Sequence, residues 1–140
     1  MTEKIKLAYA IALVAHKNQY DKVGVSYINH PLTVSNNLET EDEKIVGLLH
    51  DVVEDTAVTL DDLRLFFDEN IIEAINLLTH KEDDSYMDYL AKIKENKLAK
   101  AVKLADLRHN MDMSRFENPT DKDYERLEKK YKPAYEFLTK

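Results

Sequence analysis

Val46-Gly47-Leu48-Leu49-His50-Asp51-Val52-Val53-Glu54-Asp55 is the stretch on which the reading of this chain turns. Its apolar residues mark a buried helix. Its second half nevertheless carries an imidazole and the carboxylates of Asp51, Glu54 and Asp55. An unpaired carboxylate taken out of water costs several kcal/mol, so these groups need compensation. A bound metal ion is the most economical source of it.

Working outward, the chain has only two glycines and three prolines, which argues for helices joined by short turns. No two-residue alternation of apolar and polar residues marks a strand. Thr2 is a cap for a first helix reaching about Tyr20, with Ile5, Ala8, Ala12 and Ala15 on one stripe. Residues 22–26 read as a loop. His30-Pro31 places proline at a first helical position, opening a short helix to about Leu38. Thr40 and Glu43 form a capping box for the helix that carries His50 and ends near Asp55. Further helices are expected from Thr59 to Phe67, Asn70 to Thr79, Ser85 to Lys94, Leu98 to Ser114, and Thr120 toward Leu138. Pro133 is expected to kink or split the last one.

At 140 residues and 44% hydrophobic, the chain is expected to fold as one domain, residues 1–140, around a real core. No run of 18 apolar residues predicts a membrane span, and the first residues lack a signal-peptide pattern, so cytoplasm is the expected location. The absence of cysteine excludes disulfides and thiolate zinc sites. A net charge of −7 argues against nucleic-acid binding, which calls for a basic surface. It leaves room for a small polyanion held by a cation and local lysines.

In a continuous helix, Glu54 lies one turn beyond His50 and Asp55 one turn beyond Asp51. Histidine with carboxylates suits Mn, Fe, Co or Zn, and further carboxylates nearby suit general acid and base work. Leu98 to Met111 repeats the pattern. Leu98, Ala101, Val102 and Ala105 form one apolar face, and Leu104, Leu107 and Met111 a second. Lys103, Asp106 and Asn110 share the narrow remaining sector. Taken singly, His50-Asp51 is uninformative and Asp106 could simply pair with Lys103. Together the two segments leave a metal or catalytic site and a structural role both open.

Tyr27-Ile28-Asn29-His30-Pro31, Leu48-Leu49-His50-Asp51-Val52-Val53-Glu54-Asp55-Thr56 and Lys103-Leu104-Ala105-Asp106-Leu107-Arg108-His109-Asn110-Met111 occur in that order. With Ala15-His16-Lys17-Asn18-Gln19 and Lys22-Val23-Gly24, they make the chain resemble the HD-domain phosphohydrolases. More closely, it is similar to the hydrolase domain of RelA/SpoT proteins and to small stand-alone alarmone hydrolases. The resemblance implies an all-α, HD-domain helical bundle and one divalent metal, typically manganese (Mn2+). By resemblance the metal ligands are His30, His50, Asp51 and Asp106. Glu54 and Asp55 match the catalytic pair that handles the attacking water or the leaving group, and Asn110 lies near metal and substrate. The implied reaction releases pyrophosphate from the 3′ position of guanosine tetraphosphate (ppGpp) or pentaphosphate.

Several positions depart from the family pattern. Asp21 stands where an arginine is usual, and Asp112 and Met113 replace basic and hydroxyl residues. Lys22 and Lys103 remain as expected phosphate contacts, with Lys81 behind them. These departures keep two alternatives in view. One is an HD-type hydrolase of another nucleotide or phosphate ester, the other a non-catalytic regulatory module. His16 reads as structural, and His109 as packing or orienting a ligand. Tyr86 and Tyr89, three apart, read as packing residues, and the charged tail from Asp121 as a solvated helix face.

Overall fold

A computed structural model describes residues 1–140. Helix α1 (Glu3–Ala15) starts where the Thr2 hydroxyl accepts from Ile5 N, and it buries Ile5, Ala8 and Ala12. It ends well before Tyr20. The chain turns through Asn18 at φ 68°, a left-handed conformation that asparagine tolerates. It then pairs Tyr20 with Ser26 in an isolated antiparallel bridge, the only β feature of an otherwise all-α fold.

Helix α2 (Asn29–Asn36) carries Pro31 in its first turn, where no intrahelical N–H is required. Helix α3 (Glu41–Leu49) begins with the expected Thr40–Glu43 capping box. It does not run to Asp55. The helix breaks at His50-Asp51 and resumes as α4 (Val52–Asp55), with Asp51 at φ −103° and ψ −3°. The His50 ring is bonded to the Gly47 carbonyl at 2.6 Å, so a side chain competes for a backbone acceptor at the break. The turn-by-turn register expected for His50–Glu54 and Asp51–Asp55 is therefore replaced by a corner.

Helix α5 (Leu60–Arg64) has a second capping box, Thr59 with Asp62, and stops short of Phe67. Helices α6 (Glu69–Leu78), α7 (Tyr86–Lys94) and α8 (Lys97–Asn110) follow. Asp112 ends α8 earlier than expected by capping a 3-10 turn, Met113–Arg115. Thr120 and Asp123 cap α9 (Asp121–Arg126), and a π turn, Leu127–Tyr131, leads into α10 (Lys132–Thr139). A proline in a regular helix clashes with the carbonyl four residues earlier. The π turn, in which Lys132 N bonds to Leu127 O, lets the chain pass Pro133 without a break.

The core is built from α3, α6, α7 and α8. Ile45, Leu48 and Leu49 meet Ile71, Ile72 and Ile75, Leu90 and Ile93, and Val102 and Leu107. Helix α2 lies against α3 at Gly47, whose missing side chain permits close approach. A Cβ there would stand 3.0 Å from Leu38 Cδ1 and 3.2 Å from Ser35 Cα. That contact brings His30 on α2 beside His50 at the end of α3. No helix is long and apolar enough to cross a membrane.

Candidate active site

Four side chains from three places in the fold converge at the bottom of a cleft of about 410 Å³. His30 comes from α2, His50 and Asp51 from the α3–α4 corner, and Asp106 from α8. His30 Nε2 is 2.7 Å from Asp106 Oδ1 and 4.0 Å from Asp51 Oδ2. His50 Nε2 is 3.1 Å from Asp51 Oδ2 and 3.5 Å from Asp106 Oδ1. The helix break is what allows adjacent residues, His50 and Asp51, to face the same point.

The tautomer of His50 follows from its bond to Gly47. A carbonyl only accepts, so His50 Nδ1 carries a proton. In the neutral ring Nε2 is then a lone pair. It is buried, has no hydrogen-bond partner, and is aimed between two carboxylates. Positive charge satisfies that arrangement, supplied by a proton on Nε2 or by a metal ion in its place. Burial opposes a charge on His50, but Asp51 and Asp106 outweigh it and hold the imidazole well above its usual range. Likewise burial works against the Asp51 carboxylate, yet His50 brings it down to about 2. A metal with donors at 2.0–2.2 Å keeps neighbouring ligand atoms about 3 Å apart. The separations here bracket that spacing, and nitrogen with oxygen donors suits a divalent transition metal. His30, His50 and Asp106 form a group that could hold a metal ion, and Asp51 lies beside it.

The carboxylates of this centre are held from outside. Asp106 Oδ2 accepts from Lys103 Nζ at 3.0 Å, and Oδ1 accepts from Asn110 Nδ2 at 3.3 Å. Despite burial, Lys103 and the two histidines keep the Asp106 carboxyl well below the usual range. Lys103, Asp106 and Asn110 thus do share one sector of α8, with both neighbours turned onto the aspartate. Tyr27 donates to Asp51 Oδ2 at 2.5 Å. Burial and the Asp51 charge push its phenol up, so it stays a donor.

Glu54 and Asp55 stand at the edge of the centre. Their carboxylates and that of Asp51 lie within 4.8 Å of one another. The two differ in freedom: Glu54 Oε1 accepts from His80 N at 2.7 Å, whereas Asp55 is held through its backbone oxygen by Gln19 Nε2. Burial, Asp51 and Glu54 raise the Asp55 carboxyl to about 6.

The rest of the cleft lining is rich in cations, with Asp123 3.7 Å from Arg126 among them. Lys22, Arg115, Arg126 and Lys130 stand there with Tyr86 and Tyr131. The crowding registers on Lys22, whose ammonium is lowered by burial and by Arg126, Lys130 and Arg115, against Asp123. Arg126 and Lys130 come from the segment read as a solvated face. Their four-residue spacing was visible, but alternating charges hid which face turns inward. Tyr89 is buried and bonded to Leu78 O, as a packing residue should be, while Tyr86 lines the cleft under Lys130 Nζ, 5.1 Å from its ring. Lys81 instead caps the end of α6 through Asn76 and Thr79. His16 is buried, bonded to Gln19 and packed on Tyr27. His109 reaches His30, Nδ1 to Nδ1, at 2.6 Å. Burial, His30 and Arg115 lower its imidazole to about 4.

The departures at Asp21 and Asp112 have local causes. Asp21 Oδ1 accepts from Val23 N and Val25 N and pins the loop below the cleft. Asp112 Oδ1 accepts from Ser114 N.

No family model matches the chain. Among known proteins, it is 33% identical over 133 residues to the mouse guanosine-3′,5′-bis(diphosphate) 3′-pyrophosphohydrolase MESH1, covering 81% of this chain and 73% of that one. It is 30% identical over 124 residues to the bifunctional (p)ppGpp synthase/hydrolase SpoT of Escherichia coli (strain K12). That match takes in 78% of this chain but only 18% of the bacterial protein, so the chain spans less than a fifth of its length. A metazoan SpoT orthologue of known structure, described as hydrolysing ppGpp, superposes with a TM-score of 0.79 at 23% identity, over 99% of this chain and 86% of that one. The fold is shared, and the similarity to MESH1 extends over most of both chains: this chain belongs to the SpoT/MESH1 family of guanosine-3′,5′-bis(diphosphate) 3′-pyrophosphohydrolases.

Proposed function

We propose that the protein is a metal-dependent hydrolase that removes pyrophosphate from the 3′ position of guanosine tetraphosphate, with a single divalent ion held by His30, His50, Asp51 and Asp106. The observation that carries this reading is the buried Nε2 of His50, turned inward by the Nδ1–Gly47 bond and aimed between two carboxylates, where a metal ion can take the place of a proton. When bound, a divalent metal lowers the pKa of water and neutralises phosphate charge. Manganese is the ion we favour, by resemblance to the family.

The chain supplies the rest of the chemistry. Hydrolysis joins a water oxygen to the phosphorus next to the 3′ oxygen. One proton must leave the water, and one must reach the departing 3′ oxygen. Asp55, whose carboxylate stands beside Asp51 and Glu54 with only its backbone oxygen bonded, is placed for that traffic. Glu54 is fixed by His80 N and orients the water beside it. Lys103 and Asn110 hold Asp106 in register, and both face the cleft, where they can also meet a phosphate. Lys22, Arg115, Arg126 and Lys130 supply positive charge for the remaining phosphates of a nucleotide that carries two diphosphates.

Purified protein loaded with manganese should release pyrophosphate from guanosine tetraphosphate, and the Asp51→Ala variant should not. Turnover no greater than that of the variant would reject this substrate. Hydrolysis of other nucleotides under the same conditions would keep the enzyme class and move the specificity.

A further inference from the structure

His30 is the one histidine of the centre whose second ring nitrogen meets another side chain. Its Nε2 faces Asp106, and its Nδ1 lies 2.6 Å from His109 Nδ1. The ring planes differ by 20° and the centroids are 4.9 Å apart. That separation is close to the N···N distance plus the two ring radii, so the rings meet edge to edge, as in an in-plane N–H···N bond. Two nitrogens this close cannot both be bare, and they cannot both be protonated; one proton lies between them. On the metal reading His30 Nε2 is bare, so the shared proton belongs to His30 Nδ1 and His109 Nδ1 accepts it, with Arg115 flanking the accepting ring. Arg115 Nη1 stands 3.1 Å from His109 Nδ1, 3.2 Å from Nε2 and 3.3 Å from the His109 backbone oxygen. A guanidinium only donates, and its charge beside the ring opposes a second cation there. Asn110, the next residue, already binds Asp106, so the end of α8 is held in place on both sides of His109.

We infer that His109 is a positioning residue for His30: it accepts the Nδ1 proton and so locks the tautomer that presents the Nε2 lone pair to the metal-binding cleft. The inference rests on the proposed metal reading. It gives His30 the same control that the Gly47 carbonyl gives His50, with a side chain in place of the backbone. Outer partners of this kind are commonly worth 10-fold to 100-fold in metal affinity.

The test uses the full chain and manganese(II) alone, with affinity measured by calorimetry or electron spin resonance in the absence of nucleotide. His109→Asn keeps an acceptor near the place of Nδ1. His109→Gln places its polar end near Nε2 and leaves Nδ1 of His30 without a partner. His109→Gln should bind manganese about 10-fold to 100-fold more weakly than the parent, and His109→Asn within about threefold of it. In the parent loaded with diamagnetic zinc(II), a slowly exchanging, downfield His30 Nδ1 proton should be visible by nitrogen-15 NMR, and it should disappear in His109→Gln. Equal affinities for the parent and His109→Gln, or equal losses in both variants, would overturn the positioning role while leaving the metal centre intact. A parent that binds no manganese would overturn both readings together.

Discussion

Asp55 and Glu54 are adjacent carboxylates with different constraints, and that difference predicts their behaviour. Glu54 is bonded to His80 N, while burial, Asp51 and Glu54 raise the Asp55 carboxyl from 3.8 to about 6. A carboxyl raised in the fold favours the protonated form, so its contribution to stability is fully present below about pH 4 and is lost as pH rises through 6. Metal-free Asp55→Asn should therefore melt above the parent at pH 8, and the gap should close below pH 4. Thermal melts across that range check the sign, and a gap that widens toward acid would refute it. Loading with a divalent metal should draw the Asp55 titration downward, because the cation cancels the Asp51 charge; a carboxyl NMR titration of protein loaded with diamagnetic zinc(II) reads this directly. In the loaded protein, Asp55→Asn should lower kcat about 10²-fold to 10⁴-fold, as expected for loss of a proton-transfer group. Manganese affinity should change far less.

Helix α3 shows how an element can be legible in type and illegible at its end. The apolar run from Ile45 to Leu49 and the Thr40–Glu43 box mark its start and its buried face. The break at His50-Asp51 leaves no such mark, because it depends on a side chain competing for the Gly47 carbonyl and on carboxylates arriving from α8. The same holds for α1 and α8, which end early at a positive-φ asparagine and at an aspartate cap. Gly47 ties this element to the site. Alanine in an exposed helix gains about 1 kcal/mol over glycine. Here the new methyl would meet Leu38 Cδ1 at 3.0 Å and the Ser35 backbone at 3.2 and 3.3 Å. Overpacking of that kind costs about 1–3 kcal/mol. The leucine tip can rotate away, but the backbone cannot, so Gly47→Ala should be destabilised by about 1 kcal/mol net in urea titrations. Manganese should also bind it more weakly, because α2 carries His30 and must move away from α3. A variant more stable than the parent would show that α2 yields freely.

At the scale of the molecule, the proposed ligands stitch α2, the α3–α4 corner and α8 together, so metal binding should act on global stability. At a free manganese concentration of 100 times the dissociation constant, unfolding should cost about 2.7 kcal/mol more than in chelator. His30→Ala should lose most of that increment. The metal-facing half of the cleft was legible because its residues sit in short motifs. The cation-rich part was not, because it forms only when residues far apart in the chain, Lys22, Arg115, Arg126 and Lys130, come together in one cleft. Their role can be separated from that of the metal. None of the four touches His50, Asp51 or Asp106, and the net charge of −7 means that the rest of the surface repels a polyanion. Arg126 and Lys130 lie at the solvent side of the cleft, where ions screen them, so each charge is worth less than a buried contact. Replacing both with alanine should raise KM for guanosine tetraphosphate about tenfold or more at low salt, and the deficit should shrink as ionic strength rises. Manganese affinity should stay at the parent value, and kcat should change little, because uniform binding is what is removed. A loss confined to kcat would place these cations on the reacting phosphate instead of the distal one. An unchanged KM at low salt would remove the C-terminal helices from substrate binding altogether.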